Sequence, residues 1–153
     1  MPRDIKNLAP SGPYKHGDFS KYNPKKYFGE LPILYRSGLE LIFMRKMESN
    51  PEVEKWSSED IKIPYIQREK IKGKFVDVRH TYNTDFTVIM KTGIKYVIEI
   101  KATAFVPLNE TQIQRNPTMR KNAFKWRAAI AWCKANDYIF RVITEKDLEK
   151  KTF

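Results

Sequence analysis

Tyr82-Asn83-Thr84-Asp85-Phe86-Thr87-Val88-Ile89-Met90 and, beyond Lys91-Thr92-Gly93, Tyr96-Val97-Ile98-Glu99-Ile100-Lys101 decide how this chain folds. Phe86 to Met90 and Tyr96 to Ile100 are short runs rich in β-branched and aromatic residues, which predicts two strands. Lys91-Thr92-Gly93 predicts the turn of a hairpin. Residues two apart on a strand share a face. Glu99 and Lys101 therefore point the same way, and the hairpin brings Asp85, at the start of the partner strand, beside them. Two carboxylates so placed can hold a hard divalent cation through oxygen. Such a cation polarises a phosphate and lowers the pKa of a bound water. A neighbouring lysine can position that water and stabilise charge developing at phosphorus. An ionised Glu99 in a largely buried sheet is also costly unless it is paired or bound to metal. The plainer alternative is an amphipathic strand with Glu99 and Lys101 facing solvent, since Glu-x-Lys alone is common.

Upstream, Leu39, Ile42, Phe43 and Met47 recur at helical spacing, which predicts a helix from about Arg36 to Met47. Ser37 is its expected N-cap, with Glu40 three positions later as a capping-box partner, and Asn50-Pro51 ends it. Ile61 to Ile66 alternates as a strand, with Pro64 pointing to a sheet edge. Lys74 to Thr81 reads as another strand. Residues 105 to 118 are polar, contain Pro107 and Pro117, and read as a loop. A second helix is expected from about Met119 to Ala135, with Phe124, Ala128, Ala131 and Trp132 inward. Tyr138 to Ile143 reads as a last strand, and Thr144 as the cap of a short final helix. The order predicts an α/β domain with a mixed central sheet flanked by helices. Residues 1 to about 30 hold four prolines and no periodicity, and read as an irregular basic arm before a domain spanning residues 31–153.

The 153-residue chain carries 29 Lys and Arg against 18 Asp and Glu, a net charge of +11. That field favours an anionic partner, nucleic acid first. No apolar run approaches a membrane span, and the N-terminus lacks the apolar core of a secretory signal. Cys133 is the only cysteine. An internal disulfide is therefore excluded, a reducing compartment of synthesis fits, and a buried structural thiol is expected. No Cys/His cluster has zinc-ligand spacing.

Tyr82 to Lys101 resembles the motif of the PD-(D/E)xK nuclease superfamily, with Asp85, Glu99 and Lys101 at its motif positions. Thr84 stands where the usual proline would be. Four segments together resemble the head completion nucleases of T4-like phages: Tyr35 to Glu40, Trp56 through Tyr65, Tyr82 to Lys101, and Asn122 through Ala129. The end-cleaving transposon nucleases are a more distant likeness. The resemblance implies a restriction-endonuclease-like fold and an endo- or exonuclease dependent on Mg²⁺, with Mn²⁺ able to substitute. It implies a virion protein, made in the host cytoplasm, that acts on packaged double-stranded DNA and meets phage head or neck proteins. It makes Asp85, Glu99 and Glu40 the metal ligands, with Lys101 completing the catalytic set.

Other residues stay open at this level. Glu40 can be a site acid or a capping glutamate. Asp77 competes with Asp85. Glu59 is a weaker candidate, because Trp56 to Asp60 also reads as a polar turn. His80 reads as a general base or, more simply, an exposed strand residue. Gln112 and Gln114 read as phosphate contacts or loop polarity. Arg120, Lys121, Lys125 and Arg127, with Arg115 before them, read as a DNA groove or a solvated helix face. Trp132 is expected in the core and Trp126 under the site. Two functions compete: a nuclease, and a non-enzymatic DNA-binding or head-tail joining protein with a vestigial motif.

Overall fold

The computed structural model describes residues 16–150. Its elements run β1 (Gly17–Asp18), β2 (Leu34–Tyr35), α1 (Gly38–Ser49), β3 (Val53–Ser58), β4 (Lys62–Ile71), β5 (Lys74–Asn83), β6 (Phe86–Met90) and β7 (Lys95–Ile100). After these come α2 (Glu110–Arg115), α3 (Pro117–Ala135), β8 (Ile139–Ile143) and α4 (Glu145–Leu148). The central sheet has the order β3-β6-β7-β8. Its first three strands are antiparallel neighbours, and β8 lies parallel to β7. The expected mixed sheet with flanking helices is what forms. The expected hairpin forms too, with Gly93 at φ +92 in its turn and its N–H bonded to the Met90 carbonyl at 2.9 Å. Glycine takes that backbone region without a Cβ penalty.

Alternation along the strands assigns each face. Trp56, Phe86, Val88, Ile98 and Ile143 face α1, where Phe43, Met44 and Met47 close the larger core. Glu99 lies on the opposite face, with Val97 and Val142. On that side α3 packs against β4 and β8, and Ile63, Tyr65, Tyr82, Trp126 and Ala129 form a second core. β4 and β5 form a separate two-stranded ribbon. Pro64 thus sits in an edge strand, as expected.

Several expectations are corrected. Ile42 is exposed, because the buried stripe of α1 runs through Leu41, Phe43, Met44 and Met47. In α3 the buried stripe is Met119, Asn122, Ala123, Trp126, Ala129 and Cys133. Phe124, Ala128 and Trp132 are half-buried and Ala131 is exposed. Within residues 105–118, Asn109 caps α2 by accepting from the Gln112 N–H at 2.9 Å. β3 replaces the start of the expected polar turn. The boundary at residue 30 also moves. Phe19 is 4% exposed in the main core, the Phe28 N–H bonds the Trp56 carbonyl at 3.0 Å, and β1 pairs with β2. Residues 16–30 are therefore part of the domain, held by apolar burial and backbone pairing. The rest of the expected arm, residues 1–15, lies outside the described residues. Among the described residues no helix is long and apolar enough to cross a membrane.

Candidate active site

Three elements bring carboxylates near enough to feel one another's charge. Glu99, 3% exposed, projects from β7. Asp85 sits just before β6 and accepts the Ile100 N–H at 2.7 Å through Oδ2. Glu40 occupies the first turn of α1, where the Ser37 hydroxyl accepts the Glu40 N–H at 3.1 Å. Its carboxylate accepts the Arg36 N–H at 2.9 Å rather than the N–H of the Ser37 cap, so Glu40 is held at the helix start without the expected capping box. Lys101 lies one turn of the pleat beyond Glu99, with Nζ 3.6 Å from Glu99 Oε1. The other Glu99 oxygen accepts the buried Tyr82 hydroxyl.

The electrostatics follow from this crowding. Burial, then the charges of Glu99 and Glu40, push the Asp85 carboxyl well above its usual range, against the Ile100 N–H and Lys101. Burial also raises Glu40, helped by Glu59 and Glu99 and opposed by Arg36. Burial, then Glu99 and Asp85, holds the Tyr82 hydroxyl protonated far above the ordinary phenol range, so it stays a donor. Burial lowers Lys125, with Lys101 and Lys121 adding to that while Glu99 and Asp85 oppose it. Its ammonium stands 4.8 Å from the centre of the Tyr82 ring.

The site draws in more than the sequence assigns to it. Sequence marks Tyr82 only as a flanking residue and Lys125 only as a DNA contact. The one signal for Lys125 is its place next to the buried Trp126 on α3. Glu59 is paired with Arg36, sits at φ +54, and donates its N–H to the Asp85 carbonyl at 3.0 Å. It flanks Glu40 without joining the Asp85–Glu99 pair. Thr84 accounts for the departure from the motif's proline. Both its N–H and its hydroxyl donate to the Ile61 carbonyl, at 3.1 and 2.9 Å, and a proline would forfeit the first bond.

Other candidates lie elsewhere. Asp77 is on the β4–β5 ribbon, 3.4 Å from Arg68. His80 bonds Glu69 at 2.7 Å and stacks on Tyr65. Gln112 Oε1 accepts the Leu108 N–H at 2.7 Å, while Gln114 is exposed. Arg120 donates to the Ile113 and Gln114 carbonyls, tying α2 to α3. Lys121 and Arg127 are exposed on α3. Cys133 is buried, as expected, and burial raises its thiol to about 11. Trp126, rather than Trp132, is the buried indole of α3.

The donors at the centre are hard carboxylate oxygens, the type that Mg²⁺ takes, so the chemistry of the set fits such a cation. Among the described residues no three His, Cys, Asp or Glu side chains form a ready-gathered metal group. Buried acids repel one another, and that repulsion opposes closer approach until positive charge joins them.

Residues 50–145 match the family model described as TnsA-like endonuclease N terminal. The chain belongs to this family. The head completion nuclease of Enterobacteria phage T4 is 30% identical to it over 164 residues, covering 95% of this chain and 98% of the relative. Family and sheet together make the fold restriction-endonuclease-like.

Proposed function

We propose that this chain is a metal-dependent DNA nuclease of a phage virion, acting on packaged DNA as heads are completed and joined to tails. The observation that carries the reading is the convergence of Asp85, Glu99 and Lys101 on one face of the central sheet, with Glu40 brought alongside from α1. The family and the T4 relative's name support it. A pure DNA binder gains nothing from buried carboxylates beside a phosphate. Against +11 overall, such acids need a reason to be kept.

Asp85 and Glu99, with Glu40 beside them, would hold Mg²⁺ or Mn²⁺. When bound, the cation supplies charge neutralisation at the phosphate and a more acidic water. The chain's own groups do the rest. The Ile100 N–H fixes one oxygen of Asp85 and leaves Oδ1 to the site. The Tyr82 hydroxyl fixes one oxygen of Glu99 and turns the other toward Lys101. Lys101 and Lys125, both half-buried, then bring two ammonium groups to a place where phosphate charge must be met.

The test is digestion of supercoiled plasmid with Mg²⁺ and with EDTA. Wild type should nick and linearise only with metal. Asp85→Ala, Glu99→Ala and Lys101→Ala should each lose cleavage by several orders of magnitude while unfolding cooperatively. Wild-type rates in any one of them would remove that residue from the mechanism.

A further inference from the structure

Beyond Tyr82 at its base, which donates to Glu99, the β4–β5 ribbon has no job in the centre just described. It has ten cross-strand pairs, from Lys62↔Asn83 to Ile71↔Lys74, and among the described residues its strands pair with no other strand. Its base is anchored: Ile63, Tyr65 and Tyr82 are buried in the second core. From the Ile66↔Arg79 pair outward it leaves the body. At about 3.4 Å per residue, the pairs from there to the tip make an arm roughly 20 Å long. Lys72 and Gly73 both take positive φ, +49 and +80, and close its tip as a tight two-residue turn.

Directly paired residues share a face. One face of the arm therefore carries Ile66, Arg68 and Lys70 opposite Arg79, Asp77 and Phe75. Phe75 is 68% exposed and Ile66 58%. The Arg68–Asp77 pair stands between them, so they are single apolar side chains set among charges rather than one apolar patch. They are surrounded by positive charge. The arm's two acids are both engaged within it, Asp77 by Arg68 and Glu69 by His80. Lys70, Lys72, Lys74 and Arg79 have no carboxylate partner among the described residues. At its base β5 ends at Asn83, two residues before Asp85, so whatever the arm grips is delivered to the acids.

We propose that this ribbon is a duplex-DNA arm. Its basic residues meet phosphates, and Ile66 and Phe75 enter a groove. The proposal deepens the nuclease reading and rests on it for the choice of DNA over another polyanion. A two-stranded ribbon fits the major groove. Exposed Phe and Ile suit thymine methyls or a base step, while lysines and an arginine without acidic partners suit the backbone. Charge decides against a protein partner as occupant, because the apolar pair lies inside a basic field rather than a neutral one.

The test measures binding of the full chain to a labelled duplex of about 30 base pairs in EDTA across a salt series, so the outcome does not depend on cleavage. The variant K70S/K72S/K74S/R79S should bind at least tenfold more weakly, with a salt slope shallower by about 0.9 for each phosphate no longer neutralised. I66S/F75S should bind more weakly with the slope unchanged. K70Q alone, the mildest change, should still flatten the slope, and it decides the matter should the fourfold variant not fold. Wild-type affinity and slope in K70Q and the fourfold variant would overturn the arm. So would I66S/F75S that keeps DNA affinity but loses self-association in sedimentation, because a second copy would then cover that face. Asp85→Ala, assayed for cleavage, judges the nuclease reading separately. Its activity could stand or fall with the arm's affinity unchanged.

Discussion

Asp85 is the residue on which site and stability pull apart. Its carboxyl is pushed well above the ordinary range by burial and by Glu99 and Glu40. A carboxyl whose pKa is higher folded than unfolded binds its proton more tightly in the native state. Stability therefore falls as pH rises from the unfolded value near 4 through the raised folded value, and stays low above it. Asp85→Asn removes the charge yet keeps an oxygen to accept the Ile100 N–H. In EDTA at neutral pH the variant should be more stable by about 1 kcal/mol, and the gap should close as pH falls toward 4. Excess Mg²⁺ should reverse the order, because it binds the intact acid set and stabilises by mass action. Thermal unfolding of both proteins with EDTA and with Mg²⁺ checks this. Lower stability of Asp85→Asn in EDTA would make Asp85 a structural acceptor first. Asp85, Glu99 and Lys101 were legible in the sequence because strand period and a short turn bring them together locally. Tyr82 and Lys125 were not, since their approach to Glu99 depends on the ribbon base and α3 meeting across the chain. Asp77 matches Asp85 in local pattern, and only register places it out on the arm.

Elements were legible where their period was clean. β6, β7, β8 and α1 emerge from alternation or helical spacing within a residue or two, and the Ser37 cap is where its chemistry placed it. β3 was not legible. Val53-Glu54-Lys55-Trp56-Ser57-Ser58 has one bulky apolar residue in its middle, and the register slips between Val53 and Lys55. What holds it is tertiary. Glu48, near the end of α1, accepts the Trp56 indole N–H at 2.7 Å and the N–H groups of Lys25 and Lys26 at 2.6 and 3.0 Å. One carboxylate thus joins helix, sheet edge and N-terminal segment. Glu48→Ala leaves three donors without that acceptor and should cost about 3 kcal/mol. Glu48→Gln keeps one acceptor oxygen and should cost clearly less. Urea unfolding measures both. Equal losses within about 0.5 kcal/mol would show that the effect is lost packing, with the carboxylate's bonds contributing little.

At the scale of the whole molecule, charge was the legible property and the N-terminal boundary was not. A proline-rich stretch without periodicity looks detachable, yet burial is set by what a segment meets, and no local pattern records that. Phe19 and Tyr27 both pack around Trp56, at ring-centre distances of 5.9 and 4.9 Å. Asp18 accepts the Ile33 N–H at 3.0 Å, and the backbones of Lys26 and Phe28 bracket Trp56 with two bonds of 3.0 Å each. Deleting residues 1–30 removes all of these interactions and opens one side of the core. Each aromatic side chain contributes about 1.5–3 kcal/mol through burial. The missing backbone bonds add about 1 kcal/mol apiece. The sum is of the same order as the roughly 5–15 kcal/mol typical of a folded domain. The truncated chain should therefore unfold at a much lower urea concentration, or fail to fold at ordinary temperature. Its DNA affinity would then report damaged structure as well as the missing charges of Lys21, Lys25 and Lys26. The deciding comparison is with Phe19→Ala in the full chain, which keeps every charge. It should lose a substantial part of the same stability while holding the salt dependence of DNA binding. A truncated chain as stable as wild type would return residues 16–30 to the role of an arm and make their packing on Trp56 energetically idle.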